Sequence, residues 1–316
     1  MGLAVAVAAL LMPCLGAAAQ DASLPQAHPD IPLVVDDGSA FDLGGVELPD
    51  AGDALSRYDF IGAGANVIAD PSHSLAPFVR KVVSQLKAGD EVVRIVHVGD
   101  SHVRGHFFPG AVKGHLEQLL GADAVVRDYE VFDYGTPGIS RETGWGGVVY
   151  QVYGINGATA QRFSDERHVD EIAALSPDLL IVSLGTNESV GAKYARMQHK
   201  NQLDQLMRML AARCPSTPVL LTTPPGAYRR VRGRYQPNAN VRLAAETIAG
   251  YAEEKGYAWW DLYNVAGGDR ACVNWWDNGL MQRDHLHFTK EGYWLMGDLL
   301  YSAIVNLIKE YVEHGF

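Results

Sequence analysis

The sequence is poor in cysteine, with three in 316 residues, and none of them belongs to a CxxC or Cys/His ligand spacing. Such spacings mark structural zinc sites, so we expect no structural metal. Cys14 lies in a segment that we expect to be removed from the mature chain. Cys214 and Cys272 then remain, either as one disulfide in an oxidising compartment or as two separate thiols.

Basic residues are also scarce, with 26 Lys and Arg against 37 Asp and Glu and a formal net charge of -11. This balance disfavours a surface that follows a phosphate backbone, so nucleic acid is not an expected partner. The apolar run from Leu3 to Leu15 is too short to span a bilayer. We therefore expect no stable membrane insertion.

The N-terminal segment is typical of an export signal. Residues 1–19 carry no charged side chain and end in Gly16-Ala17-Ala18-Ala19, which fits an A-x-A cleavage site. The basic region that usually begins such a signal is missing. We expect cleavage after Ala19 and a periplasmic or secreted chain, and a short membrane anchor is the alternative.

Composition divides the chain into three parts. After the signal peptide at 1–19, residues 20–70 are rich in Asp, Pro, Gly and Ala, which suggests an extended leader or weakly structured arm. Residues 71–316 form the main domain, in which apolar strands alternate with amphipathic helices. Strands are predicted at Val92–Val98, Leu179–Ser183, Val219–Thr222 and Ala258–Trp260, and helices at Leu75–Leu86, Val112–Leu120, Gln202–Ala212, Asn240–Lys255 and Glu291–Val312. This alternation predicts an α/β fold, a three-layer α/β/α sandwich with a parallel sheet.

Polar residues gather where two of these strands end. Gly99-Asp100-Ser101-His102 follows the strand at Val92–Val98, and Gly185-Thr186-Asn187-Glu188 follows the strand at Leu179–Ser183. A third group, Asp284-His285-Leu286-His287, precedes the last helix. The carboxyl ends of parallel strands lie along one edge of a sheet, where α/β enzymes keep their chemistry. Serine, asparagine, aspartate and histidine are the components of an acyl-transfer site.

The chemistry of a serine nucleophile assigns roles to these residues. A serine hydroxyl is activated when a base takes its proton and a carboxylate orients that base. We expect Ser101 to be the nucleophile, His287 the base and Asp284 its partner, because a turn with two intervening residues lets an aspartate reach the imidazole. His285 is the rival base, but adjacent residues point in different directions, so Asp284 cannot easily orient it.

An acyl-transfer site also needs donors for the oxyanion. The candidates are the backbone N–H groups of Ser101 and Gly157 and the side-chain amide of Asn187. Each candidate alone also fits a structural role as a helix cap or turn residue. Their joint occurrence favours a catalytic site.

Four blocks of the sequence resemble the SGNH or GDSL-type hydrolase family. They are Gly99-Asp100-Ser101, Ile155-Asn156-Gly157-Ala158-Thr159, Gly185-Thr186-Asn187-Glu188 and Asp284-His285-Leu286-His287-Phe288-Thr289. The resemblance runs from about Leu75 to the C-terminus, and it implies a flavodoxin-like sandwich and ester hydrolysis without a cofactor. His102 departs from the leucine of many members, and the stretch between the first two blocks is long.

A finer resemblance points to a subgroup. The form Gly99-Asp100-Ser101-His102 and the segment Trp275–Met281 resemble the peptidoglycan and polysaccharide O-acetylesterases. This implies an acetylated carbohydrate, in peptidoglycan or another polysaccharide, as the substrate. Trp260, Trp275 and Trp276 are candidate faces for sugar rings, but tryptophan is more often a core residue, so we expect a ligand role for at most one.

Other functions stay open at this point. An O-acetyltransferase would use the same serine and pass the acyl group to a sugar hydroxyl, and a lipase or thioesterase of the same family would take other acyl groups. A two-metal phosphoesterase would use the ligand types of Asp100, His102, Asp284, His285 and His287. Its expected Asn-His and Gly-His-x-His pairs are absent. A non-catalytic glycan-binding protein is the last alternative.

Overall fold

The computed structural model describes residues 41–49, 56–62, 66–126 and 141–315. The chain divides into two units, Met1–Val35 and Asp36–Phe316, and the description below concerns the second. The expected signal peptide at 1–19, its cleavage after Ala19 and most of the leader lie outside the described residues. Within the described ranges, no helix has the length and apolar character needed to cross a membrane.

Eight strands are described. They are β1 (Ile68–Ala69), β2 (Val92–Gly99), β3 (Gly147–Gly154), β4 (Leu179–Ser183), β5 (Val219–Thr222), β6 (Tyr228–Val231), β7 (Arg234–Pro237) and β8 (Ala258–Trp260). Six of them form one sheet in the order β1-β8-β5-β4-β2-β3, and β6 and β7 form a separate hairpin. In the large sheet all neighbouring strands are parallel except β1, which pairs with β8 in the antiparallel direction.

Helices connect the strands. They are α1 (Ala76–Ala88), α2 (Ser101–Arg104), α3 (Phe107–Leu120), α4 (Ala160–Phe163), α5 (Glu166–Ala174), α6 (Thr186–Ser189), α7 (Arg196–Arg213), α8 (Ala239–Lys255), α9 (Leu262–Val265), α10 (Ala271–Asp277) and α11 (Lys290–His314). Helices α1, α3 and α11 pack on one face of the sheet, and α4, α5, α7 and α8 pack on the other.

The side chains of β2 show how the layers form. Successive residues of a strand point to opposite faces of its sheet. Val93 and Ile95 accordingly lie in the core beneath α1, α3 and α11, while Val96 and Val98 lie in the core beneath α7 and α8. A strand that is apolar on both faces needs cover on both sides. The predicted three-layer sandwich with its mostly parallel sheet is confirmed.

The described part of the predicted leader packs on the main domain. Phe41, Ile61 and Ile68 are 1%, 6% and 4% exposed and belong to the core on the α11 face. The ring of Phe41 lies 5.4 Å from that of Tyr311 on α11. These residues therefore contribute buried apolar area even though their surroundings in the sequence are rich in Asp, Gly and Pro.

Cys214 and Cys272 are free thiols. Cys214 ends α7 and leads into the amino end of β5, whereas Cys272 lies in α10, which follows the carboxyl end of β8. The two residues belong to opposite edges of the parallel sheet. The disulfide considered from the sequence is therefore not formed in this structure.

Candidate active site

Three adjacent strand ends place three of the predicted site residues together. In the order β3-β2-β4, the last residues Gly154, Gly99 and Ser183 are paired in register. The loops that leave these positions carry Gly157, Ser101 and Asn187. Because the three strands end level with one another, their loops meet at one edge of the sheet. The sequence predicts this for Ser101 and Asn187, whereas the strand β3 that leads to Gly157 was not predicted.

Two glycines let α2 pack directly on these strand ends. A Cβ atom on Gly99 would lie 2.3 Å from Val103 Cγ2 and 2.7 Å from the carbonyl oxygen of Ser183. A Cβ atom on Gly154 would lie 2.5 Å from Arg104 Cα. Only glycine permits this approach without displacing backbone. The position of the helix that begins with Ser101 therefore depends on both glycines.

Asp100 and Asn187 connect the loops around Ser101. Asp100 caps α2, since its Oδ1 accepts a hydrogen bond from the backbone N–H of His102 at 2.9 Å. Asn187 Nδ2 donates to Asp100 Oδ2 at 3.2 Å and to the carbonyl oxygen of Ala158 at 2.9 Å. This amide thus joins the nucleophile loop to the glycine loop. Among the described residues, the backbone N–H groups of Ser101 and Gly157 have no acceptor.

The turn before α11 carries the other half of the site. Asp284 Oδ1 accepts hydrogen bonds from the backbone N–H groups of Leu286 and His287 at 3.0 and 2.9 Å. Its Oδ2 lies 2.6 Å from His287 Nδ1, and His287 Nε2 lies 2.9 Å from Ser101 Oγ. Carboxylate, imidazole and hydroxyl therefore form one continuous chain of hydrogen bonds.

The charge of Asp284 is maintained by these contacts. Desolvation disfavours its ionised form, but hydrogen bonds from the His287 ring and from the backbone of Leu286 and His287 outweigh that cost and lower the pKa of Asp284. An ionised Asp284 fixes the proton of His287 on Nδ1 and leaves Nε2 free to accept. The ring then faces the hydroxyl in the state that a general base requires.

His285, the rival base, is held elsewhere. Its ring stacks between Tyr235 of β7 and Trp276 of α10, with centroid distances of 3.8 and 3.9 Å. Its backbone is in the left-handed region, with φ of 60°. Among the described residues, His287 is the histidine whose ring reaches Ser101.

Two buried groups lie beneath the nucleophile. Burial, together with the nearby charge of Glu188, raises the pKa of Asp100 to about 7. Burial also lowers the pKa of His102 to about 3, and its Nδ1 lies 2.9 Å from the hydroxyl of Tyr293. His102 is therefore neutral at pH 7. No group of three metal-ligating side chains that could hold an ion occurs in the described ranges, and this includes the residues considered for a two-metal phosphoesterase.

This arrangement agrees with the comparison of the whole sequence with known families. Residues 98–295 match the model of the GDSL-like lipase/acylhydrolase family. The chain belongs to this family. As a GDSL acylhydrolase it is a carboxylic ester hydrolase, which confirms the enzyme class predicted from the four blocks.

Three solved structures are similar to this chain, and the first of them shows the same fold. A peptidoglycan O-acetylesterase structure has a TM-score of 0.66 at 17% identity, and the match covers 77% of this chain and 99% of that one. An acetyl xylan esterase gives 0.48 at 16% identity, with 67% and 100% coverage. The lipase/acylhydrolase from Enterococcus faecalis gives 0.46 at 19% identity, with 70% and 96% coverage. No curated protein matches the sequence.

The three tryptophans considered as sugar platforms differ in position. Trp260 and Trp275 are 0% and 1% exposed, and their Nε1 atoms donate to Asn66 Oδ1 and to the carbonyl oxygen of Ala266. Both are core residues and offer no face to a sugar ring, which leaves Trp276 as the candidate. Trp276 is 36% exposed, but His285 covers one of its faces. Its remaining surface is the one available to a ligand.

Sequence reasoning missed two supports of the GDSL site. Glu188 accepts hydrogen bonds from the backbone N–H groups of Ala160 at 2.7 Å and Gly185 at 3.1 Å, which ties the asparagine loop to α4. The hairpin of β6 and β7 was not predicted either, although its Tyr235 packs on the turn of Asp284 and His287. An Asn-Glu pair at the start of a helix is a sequence signal for the Glu188 contacts. The hairpin is polar, so hydrophobic periodicity gives no signal for it.

Proposed function

We propose that this GDSL enzyme is an exported serine esterase that removes O-acetyl groups from a cell-envelope or extracellular carbohydrate, in peptidoglycan or another polysaccharide. The observation that carries the proposal is the chain of hydrogen bonds from Asp284 through His287 to Ser101. It supplies a nucleophile, a base and an orienting carboxylate in the required order.

The residues have defined roles in this reaction. Ser101 Oγ attacks the acetyl carbonyl carbon while His287 Nε2 takes the hydroxyl proton. The oxyanion is held by the backbone N–H groups of Ser101 and Gly157 and by Asn187 Nδ2, whose 3.2 Å hydrogen bond to Asp100 Oδ2 is exchanged for one to the oxyanion. When the intermediate collapses, the carbon–oxygen bond to the sugar breaks and His287 returns its proton to the sugar oxygen. Water, deprotonated by His287, then attacks the acetyl-serine. The bond between the carbonyl carbon and Ser101 Oγ breaks, His287 returns the proton to Oγ, and acetate leaves.

Two features support a polymeric substrate. The side chains of His287 and Asp284 are 30% and 48% exposed, so the base lies at the surface rather than at the bottom of a tunnel. An ester carried on a long chain can reach a base in that position. The similar fold of an enzyme named for peptidoglycan O-acetyl groups also favours this class of substrate.

The test measures acetate. Wild type and Ser101→Ala are incubated with O-acetylated peptidoglycan and with acetylated plant and capsular polysaccharides, with an aryl acetate as the reference ester. Wild type should release acetate from at least one polymer, and Ser101→Ala should release none. A wild type that hydrolyses only the aryl ester would contradict the carbohydrate assignment. Transfer of acetate to an added glycan instead of its release would identify a transferase.

Two controls address the remaining alternatives. Activity should survive a chelator and be abolished by a serine-directed inhibitor, whereas a metal-dependent phosphoesterase would show the reverse. N-terminal sequencing of the exported protein should begin at Gln20. A mature chain that retains residues 1–19 would contradict export by a cleaved signal.

A further inference from the structure

The hairpin of β6 and β7 concentrates positive charge in an acidic protein. Its ten residues, Tyr228–Pro237, contain Arg229, Arg230, Arg232 and Arg234, whereas residues 205–245 contain no Asp or Glu. The formal net charge of the whole chain is -11. A net charge averages over the molecule, so it hides a local cluster of this kind.

Strand register places one of these arginines on the face that meets the active site. Arg230 pairs with Tyr235, and Tyr228 pairs with Pro237, so these four residues share one face of the hairpin. On that face Tyr235 stacks on His285 at 3.8 Å, and Tyr228 contacts the same ring edge-on at 5.0 Å. His285 follows Asp284 directly in the sequence. The face that carries Arg230 is therefore attached to the catalytic turn.

The charges at the end of the hairpin are not neutralised by the protein. Arg230, Arg232 and Arg234 are exposed, and no carboxylate of the described residues forms an ion pair with them. Other arginines of the domain do have such partners, for example Arg94 in Glu142 at 2.6 Å and Arg213 in Asp170 at 2.8 Å. We call Arg230, Arg232 and Arg234 the arginine rim.

Exposed aromatic surface lies between the arginine rim and the catalytic turn. Tyr235 and Trp276 are 45% and 36% exposed and enclose His285. Aromatic faces and edges offer apolar contact to sugar rings, and a guanidinium group binds a carboxylate through two parallel hydrogen bonds. The two kinds of group together match a sugar that carries a carboxylate.

We infer that the arginine rim binds carboxylates of the polymer whose acetyl esters Ser101 cleaves, so that the preferred substrate is an anionic, uronate-bearing O-acetylated polysaccharide. This inference rests on the proposed function. A protein with a charge of -11 repels a polyanion over most of its surface. Attraction limited to the arginine rim would bring such a polymer to the one edge where esters are cleaved.

The experiment uses two polymers that differ at C6 of the sugar, where one has a carboxylate and the other a neutral hydroxymethyl group. Polygalacturonate and its carboxyl-reduced form are each chemically O-acetylated to the same degree, and kcat/KM for acetate release is measured for both. The variant is Arg230→Gln/Arg232→Gln/Arg234→Gln. The control, Lys87→Gln/Arg208→Gln/Arg213→Gln, makes the same change in net charge on α1 and α7. O-acetylated peptidoglycan forms a third arm, which compares uronate with lactyl and peptide carboxylates.

Wild type should prefer the anionic polymer. In the arginine-rim variant, the ratio of kcat/KM between the anionic and the neutral polymer should fall about tenfold, mainly through KM. One guanidinium–carboxylate contact is worth about that factor. The preference should also weaken as salt rises. The control variant should keep the wild-type ratio.

Three results would overturn the inference. Equal ratios in wild type and the arginine-rim variant, with both polymers cleaved, would refute it and leave the proposed function intact. Cleavage of aryl acetate but of no polymer would refute the proposed function and this inference with it. An unchanged ratio with lost binding to phosphatidylglycerol vesicles would assign the arginine rim to a lipid surface instead.

Discussion

The two halves of the active site are held in place by different interactions. The sheet side, with Ser101 and Asn187, lies on strand ends that are fixed in register and buried, and its Asp100 is 1% exposed. The turn side, with Asp284 and His287, is half-exposed and held by local hydrogen bonds and by the stack on His285. The nucleophile is positioned by the whole fold, whereas the base is positioned by a short segment and its neighbours.

The largest expected loss of activity comes from the contact between the two halves, His287 with Ser101. His287→Ala should lower kcat on an aryl acetate by about 1000-fold or more, because the hydroxyl loses its base. Ser101→Ala should do the same, and the double variant should be no worse than either single variant, since the two residues act as one unit. Steady-state kinetics measure all three. Full activity in either single variant would refute the assignment.

On the sheet side, Asn187→Ala should lower kcat about 100-fold with little change in KM, because an oxyanion donor acts mainly in the transition state. The matched control is Asn240→Ala, which also loses two side-chain hydrogen bonds, in its case to the backbone oxygens of Ser189 and Gly191. Kinetics of both variants separate catalysis from loop support. Equal losses in the two would make Asn187 a purely structural residue.

Gly99→Ala tests whether the sheet positions the nucleophile. The added Cβ would meet Val103 and the Ser183 carbonyl, so unfolding in urea should show a loss of about 1–3 kcal/mol. Gly114→Ala in α3 meets no atom within 4 Å and should stabilise the protein by up to about 1 kcal/mol. Equal stability of the two variants would mean that α2 adjusts freely against the strands.

Buried titratable groups on the sheet side make the unfolding free energy depend on pH. Burial lowers the pKa of His97 on β2 from 6.5 to about 3. Between these values the unfolded chain binds a proton that the folded chain does not, so His97 makes the unfolding free energy fall as pH falls. The loss is about 1.4 kcal/mol per pH unit below 6.5. Asp100, with its pKa raised to about 7, acts in the opposite direction.

The stability difference between wild type and His97→Gln isolates this contribution. It should shrink by about 2 kcal/mol from pH 7 to pH 5, as measured by urea unfolding at each pH. A constant difference would show that protons reach His97 in the folded protein and that the sheet side is wetter than its burial indicates.

The smallest effect belongs to the turn side. Tyr235→Ala removes one partner of His285 and should cost about 1 kcal/mol of stability, with a few-fold loss in kcat/KM on an aryl acetate as the catalytic turn loosens. Tyr235→Phe keeps the ring and should behave as wild type. Equal kinetics in both variants would mean that hydrogen bonds alone hold the turn.

The sheet side and the turn side also differ in how well the sequence predicts them. The strand at Val92–Val98 and the helices near α1, α8 and α11 are predicted well because their periodicity reflects the cores in which they lie. The convergence of Ser101 with Asn187 follows from parallel strand ends. The hairpin of β6 and β7 is hidden because its strands are short, polar and exposed, and periodicity carries no information there. Burial of Trp260 and Trp275 depends on tertiary neighbours such as Asn66, which local sequence does not identify.

The tip of the hairpin is free of the constraints that govern the rest of the site. Arg232 and Gly233 form its turn with φ of 49° and 82° and are exposed, while the stack on His285 anchors the hairpin at Tyr235. Changes of length or charge at the tip can therefore accumulate without disturbing the machinery that breaks the ester. A GDSL enzyme with a different hairpin at this place would select a different polymer while it kept the same sheet and the same catalytic turn.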